Sequence, residues 1–247
     1  MNIRDTHYAG PGSGELQELL LSTESLKDFL DEISTRLVNG DGSLSAGVTV
    51  RSSQRLPYTL SSSDATAERL DSSQYAVGDG PCLYALRETV PVKLTSMDQA
   101  EQWPHFQQQA EAEGVVSSFS VPIDGTSSYR HEPLGALNLY TRGRSFEDGD
   151  YTWGHELAER ISASVALAVQ LDEQRRLTHD LQSALVSRTT IDQALGILMA
   201  QRGCGADEAF ATLRRTSQDH NVKLREIAAA IVENTSGQPP QQGPPVT

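Results

Sequence analysis

Near the C-terminal end of the chain, apolar residues recur at helical spacing in three successive runs. Ile191, Ala194, Leu195 and Leu198 fall at i, i+3, i+4 and i+7, which predicts a helix with one apolar stripe. Gly203 and Gly205 end it and permit a turn. A second helix opens on Asp207 and Glu208, acids that suit the positive end of the helix dipole. Its stripe reads as Phe210, Leu213 and Ser217, with Ala206 beside them. His220-Asn221 breaks it, and the period resumes with Leu224, Ile227, Ala228 and Ile231. Helices this short do not hold alone, so the three must bury their stripes on one another.

Upstream, residues 157–202 read as nearly continuous helix. Within it Leu167, Leu171, Gln174, Thr178, Leu181 and Leu185 alternate spacings of four and three, a coiled-coil rhythm with two polar positions. A coil between two copies of the chain and a bundle helix inside one chain both fit that rhythm.

The earlier part of the chain mixes the two periods. A helix is expected over residues 15–38, carrying Leu16, Leu19 and Leu20, then Leu26, Phe29, Leu30, Ile33 and Leu37. Asn39-Gly40-Asp41-Gly42 stops it. Strands are expected over 46–52, 56–61, 90–94, 115–123 and 134–140, with Gly135 allowing a neighbour to approach closely. Short helices fit 64–70, 82–88 behind Pro81, and 106–113 before Gly114. The segment 124–132 between the last two strands is polar and reads as a mobile connection. A helix, a mostly antiparallel sheet of five or six strands and a closing helix make an α+β layer fold.

Composition narrows the class. No apolar run approaches the roughly 20 residues of a membrane span, and no secretory leader is expected. Cys82 and Cys204 lie far apart, as befits a cytoplasmic protein with reduced thiols. The net charge of −13 opposes general nucleic-acid affinity, but it is unevenly placed. After residue 180 the basic Arg188, Arg202, Arg214, Arg215, Lys223 and Arg225 balance Asp192, Asp207, Glu208, Asp219, Glu226 and Glu233. All of the excess negative charge therefore precedes them. A neutral module with a basic face can bind a polyanion locally while an acidic remainder repels non-specific ones.

Sites of catalysis are not evident. The six histidines show no metal-ligand spacing, so no metal is expected. His105 or His131 as a haem ligand is weighed against an ordinary histidine, which is preferred. Cys82 as a bilin-attachment or oxidation site is weighed against a buried structural thiol, which is also preferred. Gly10-Pro11-Gly12-Ser13-Gly14 has no following Lys-Ser/Thr, and no Gly-x-Ser-x-Gly elbow is present. No cofactor is named by the sequence, and no enzyme is expected.

Three blocks carry a family resemblance: Ser187 to Met199 (SR-x3-D-Q-A-x-G-I-L-M), Asp207 to Gln218 (D-E-A-F-x2-L-R-x2-S-Q) and Asn221 to Ala228 (N-x-K-L-R-x-I-A). Together they resemble the ANTAR domain, a three-helix RNA-binding module of bacterial transcription antiterminators. Two positions depart from the family. Leu195 stands where it usually has Lys or Arg, and Gly205 where it has Ser. The block from Gln74 to Ala85, with its Gly-Asp-Gly-Pro-Cys, resembles the GAF domain, a sensory module that binds small molecules or dimerises. No Asn-Lys-x-Asn-Phe-type motif of the cyclic-nucleotide-binding members is present.

The resemblance implies a GAF-like antiparallel sheet flanked by helices, a long linker helix and an all-α three-helix ANTAR bundle. The expected division is a disordered lead (1–14), the GAF-like domain (15–170), a linker (171–180), the ANTAR domain (181–235) and a disordered tail (236–247). It implies contact of Arg188, Arg214, Arg215, Ser217, Gln218, Lys223 and Arg225 with hairpin loops in leader RNA, preventing terminator formation. It also implies a homodimer through the GAF and linker helices, and a ligand pocket at Tyr75, Cys82, Asn138 and Tyr140. Two other classes stay open: a DNA-binding regulator, and a redox or small-molecule sensor that acts by protein contact.

Overall fold

The computed structural model describes residues 10–38, 42–52, 55–125 and 133–240. Outside them lie most of the expected lead and tail, most of the 124–132 connection, part of the 39–42 stop, His7 and His131. The chain divides into two compact units, Met1–Asp172 and Glu173–Thr247, with the division inside one helix.

The first unit opens with two helices where one was expected, α1 (Ser13–Ser22) and α2 (Leu26–Val38). Thr23 and Ser25 cause the break. Thr23 turns its hydroxyl back to the Leu19 carbonyl, and the Ser25 hydroxyl accepts from the Asp28 N–H as an N-cap. Five strands follow: β1 (Leu44–Ser52), β2 (Arg55–Ser62), β3 (Val92–Leu94), β4 (Ser117–Ile123) and β5 (Gly135–Thr141). They form one antiparallel sheet in the order β2-β1-β5-β4-β3. Gly135 is required at the β1–β5 edge, because a Cβ there would collide with the Thr49 carbonyl oxygen.

Between β2 and β3 lie α3 (Ala65–Val77), capped by the Asp64 carboxylate, and α4 (Pro81–Glu88). α3 runs a full two turns beyond the expected residue 70 and ends at Gly78 in the left-handed conformation. A 3₁₀ turn at Met97–Ala100 and α5 (Pro104–Ala112) follow β3. Strand alternation sends Val48, Phe119, Val121, Leu137 and Leu139 to a core shared with α1, α2 and the first part of α6 (Asp148–Arg202). Alternate positions, including Tyr140, meet α3, α4 and α5 on the other face. The sheet is thus sandwiched between two helical layers, an α+β architecture.

The second unit holds the end of α6, α7 (Ala206–His220) and α8 (Leu224–Ser236). Gly203 and Asn221 take left-handed conformations at the two turns. Ala194, Leu198, Ala209, Leu213, Ala228 and Val232 form its buried core. Ile191, Leu195, Leu224, Ile227 and Ile231 pack around it half-buried, so Leu195 is spent on the bundle. The expected stripe of α7 is corrected. Phe210 is 42% exposed and Ala206 is exposed, while Ala209 takes the inner position. Small Ala209, Ala194 and Ala228 let the helices approach closely, and the stripe turns by one residue to use them. On α6, Leu181 and Leu185 are more than half exposed, and Gln174 and Thr178 are exposed as well.

Candidate functional site

The cations of the second unit follow from the helix faces. Ala209 and Leu213 face inward, so Arg214 and Arg215 point out. Gln218 lies one turn after Arg214 on α7 and is exposed too. Asn221 adopts φ 51°, and the Ser217 hydroxyl donates to the Val222 carbonyl at 2.6 Å. The Val222 N–H returns to the Ser217 carbonyl at 3.1 Å. This turn fixes Lys223 and Arg225, at the start of α8, beside the last turn of α7. Ser217 is thereby half-buried and engaged in the turn, with a lone pair of its oxygen as its remaining capacity.

Arg214, Arg215, Lys223 and Arg225 form no hydrogen bond or ion pair with the described residues. Arg188 is 82% exposed and reaches Asp192 at 3.9 Å, a contact one turn along the helix that contributes little in water. No side chain caps the start of α8, where Lys223 occupies the cap position. The first N–H groups of α8 and two cations therefore converge at one helix N-terminus, an arrangement suited to phosphate.

In the first unit the four expected pocket residues come together, but in a packed interior. Asn138 on β5 donates from Nδ2 to Asp71 at 2.9 Å and to Thr49 at 3.3 Å. The Tyr140 hydroxyl donates to Asp71 at 2.5 Å. Tyr75, half-buried, shares a hydrogen bond of 2.5 Å with Thr49, and the Cys82 thiol donates to the same oxygen at 3.4 Å. Gln74 accepts from the Cys82 N–H at 2.8 Å and lies against Gly80, where any Cβ would strike it. That contact is the physical reason for glycine in the Gly-Asp-Gly-Pro loop. Gly47, likewise, leaves room for the Asp71 carboxylate.

Burial pushes the Cys82 thiol up to about 12 from its ordinary 9.0, helped by the Asp71 charge. Cys82 lies in the first turn of α4, where the helix N-terminus favours a thiolate, but burial outweighs it and the thiol stays protonated. Burial, then the same charge, raises Tyr140 well above the ordinary phenol value. Asp71 and Thr49 were not anticipated from the sequence, because they join this cluster from segments outside the block from Gln74 to Ala85. Ser118 and Ser120 on β4 were also not anticipated. Their hydroxyls and the Asn138 Oδ1 are buried without a hydrogen-bond partner among the described residues, and all three share one face of adjacent strands, Ser120 directly opposite Asn138.

Two open depressions lie elsewhere on this unit. One of about 300 Å³ is flanked by Val121, Pro122, His155 and Glu159, the other of about 150 Å³ by Val77, Trp103 and His105. Neither reaches Tyr75, Cys82, Asn138 or Tyr140. Among the described residues no group of three or more His, Cys, Asp or Glu is arranged to hold a metal ion, and no helix is long and apolar enough to cross a membrane.

The sequence model of the GAF domain matches residues 23–166, and that of the ANTAR domain matches residues 179–232. No curated protein matches the chain. Solved structures similar to it include the GAF domain from an Acinetobacter phosphoenolpyruvate-protein phosphotransferase, at 14% identity over 65% of this chain and 94% of that one, with a TM-score of 0.47. Another is the free methionine-R-sulfoxide reductase from Neisseria meningitidis in complex with its substrate, at 15% identity over 64% of this chain and 89% of that one, with a TM-score of 0.48. A third is the GAF domain from a Coxiella burnetii phosphoenolpyruvate-protein phosphotransferase, at 16% identity, 64% and 92% coverage and a TM-score of 0.45.

Proposed function

The chain belongs to the GAF domain family and carries an ANTAR domain behind that domain, the architecture of a signal-regulated antitermination regulator, and from that premise we propose that its C-terminal unit binds hairpin loops in nascent leader RNA and keeps a terminator from forming. One observation carries the reading: Arg214, Arg215, Lys223 and Arg225 are exposed and unpaired among the described residues, around the turn that joins α7 to α8. Loops of RNA present phosphates to such cations and unstacked bases to groups such as Gln218. Arg188 adds a contact from α6, and Ser217 offers its remaining lone pair. Leu195 withholds a second cation from α6, so binding rests mainly on α7 and α8.

Two copies joined along the exposed Leu181 and Leu185 stripe would carry two RNA modules, and a leader with two hairpins would gain avidity from both. The signal is a small polar ligand on the α3–α4 side of the sheet. The unpartnered Ser118, Ser120 and Asn138 oxygens support this, with Tyr75, Cys82 and Tyr140 around them. Its binding shifts the population of dimer geometries. The protein works in the cytoplasm, where leader RNA is made, and turns over no substrate.

Titration of the full chain with a two-hairpin RNA and with duplex DNA of equal charge tests this. Hairpin RNA is expected to bind at least about tenfold tighter, and five phosphate contacts per module give a log–log salt slope of up to about −3.5 for each hairpin engaged. Tighter binding to the duplex would instead support a DNA-binding regulator. Binding to neither would leave the module as a protein-docking domain.

A further inference from the structure

Phe210 is the last Phe, Tyr or Trp in the sequence, the first after Trp153. A small three-helix unit gains more from burying an aromatic ring than from any other single side chain. This unit does not bury it. Ala209 and Leu213 fill the core from α7, while Phe210, one residue round, is 42% exposed and makes no ring contact with the described residues. Its helical neighbour one turn on is the unspent Arg214, and Gln218 lies two turns on. Asp207, one turn before, is the acid that bounds the patch.

We infer that Phe210 is a stacking platform for one unpaired base of the RNA loop, held in place while Arg214 neutralises the adjoining phosphate. The inference rests on the RNA reading above and adds to it the contact that selects single-stranded over paired RNA. Every base has a π-face that an exposed ring can receive, whereas a base inside a duplex is already stacked. The positive charge beside the ring complements the RNA backbone, which a purely apolar partner surface would not require.

The probe is a pool of hairpin RNAs with a fixed stem and a randomised loop, selected on the full wild-type chain. The enriched RNA is then remade with 2-aminopurine at each loop position in turn. Phe210→Leu should weaken loop binding roughly tenfold, while Phe210→Trp keeps it. One loop position should lose fluorescence on binding to the wild type and not on binding to Phe210→Leu. The fully paired form of the same stem should bind both proteins alike. Wild-type affinity retained by Phe210→Leu, with the same fluorescence loss, would overturn the inference and leave the RNA reading standing. A wild type that enriches no loop would overturn both. A change in oligomeric mass of Phe210→Leu without a change in RNA affinity would assign the ring to an interface between copies, and the inference would fall.

Discussion

Asp71→Ala lowers the stability of the N-terminal unit by roughly 2–5 kcal/mol, because it leaves the Tyr140 hydroxyl and one Asn138 donor buried without their acceptor. Asp71 is completely buried, so the orphaned donors stay inside the fold. Asp71→Asn keeps an acceptor of the same shape and costs less. Trp103 and Trp153, the two tryptophans of the chain, both lie in this unit, so denaturant unfolding followed by tryptophan fluorescence reports on it alone. Equal midpoints for Asp71→Ala and the wild type would contradict the account of the cluster.

The same cluster sets an alkaline limit. Cys82 and Tyr140 hold their protons more tightly in the folded chain than in the unfolded one. Between about 9 and about 12 the folded state therefore binds more protons, and stability falls as pH rises. The Cys82 contribution is complete below about 9 and lost as pH passes through about 12, and Tyr140 acts in the same direction. Asp71→Asn removes a charge that raises both groups, and so flattens this loss.

Arg214→Ala combined with Arg215→Ala lowers hairpin-RNA affinity roughly 10- to 100-fold and leaves the helical content unchanged. Both side chains are exposed and make no contact that the bundle needs, so the loss reads binding and not folding. The salt dependence should flatten by about 1.4 in log–log slope, the share of two phosphates. Circular dichroism together with an RNA titration at two ionic strengths measures both. Unchanged affinity in a folded double variant would remove these arginines from the interface.

The sequence disclosed the helical end of the chain through its punctuation. Gly203, Gly205 and the His220-Asn221 break all lie at real helix ends, and Gly203 and Asn221 take the left-handed conformation that few residues adopt. The face of α7 was harder to read. Phe210, Leu213 and Ser217 satisfy helical spacing, and so do Ala209 and Leu213. Size favoured phenylalanine, but close helix packing favoured alanine. The break between α1 and α2 hangs on two hydroxyls inside a continuous apolar period. The polar cluster under α3 and α4 was legible only in part. Tyr75, Cys82, Asn138 and Tyr140 belong to it, but Asp71, which holds two of them, looks like any helical surface acid until the sheet is folded. The spacing along α6 fitted a coil and a bundle helix equally, because periodicity does not say which chain supplies the partner; Leu181 and Leu185 are exposed in the single chain.

The central claim is that the C-terminal unit reads leader RNA. Sequencing of RNA crosslinked to the full chain in its own cell tests it most directly. The account predicts recovery of leader segments that carry paired hairpins ahead of a terminator, with crosslinks in the loops and their depletion in the Arg214→Ala, Arg215→Ala variant. Recovered RNA indistinguishable from the total cellular pool would contradict it.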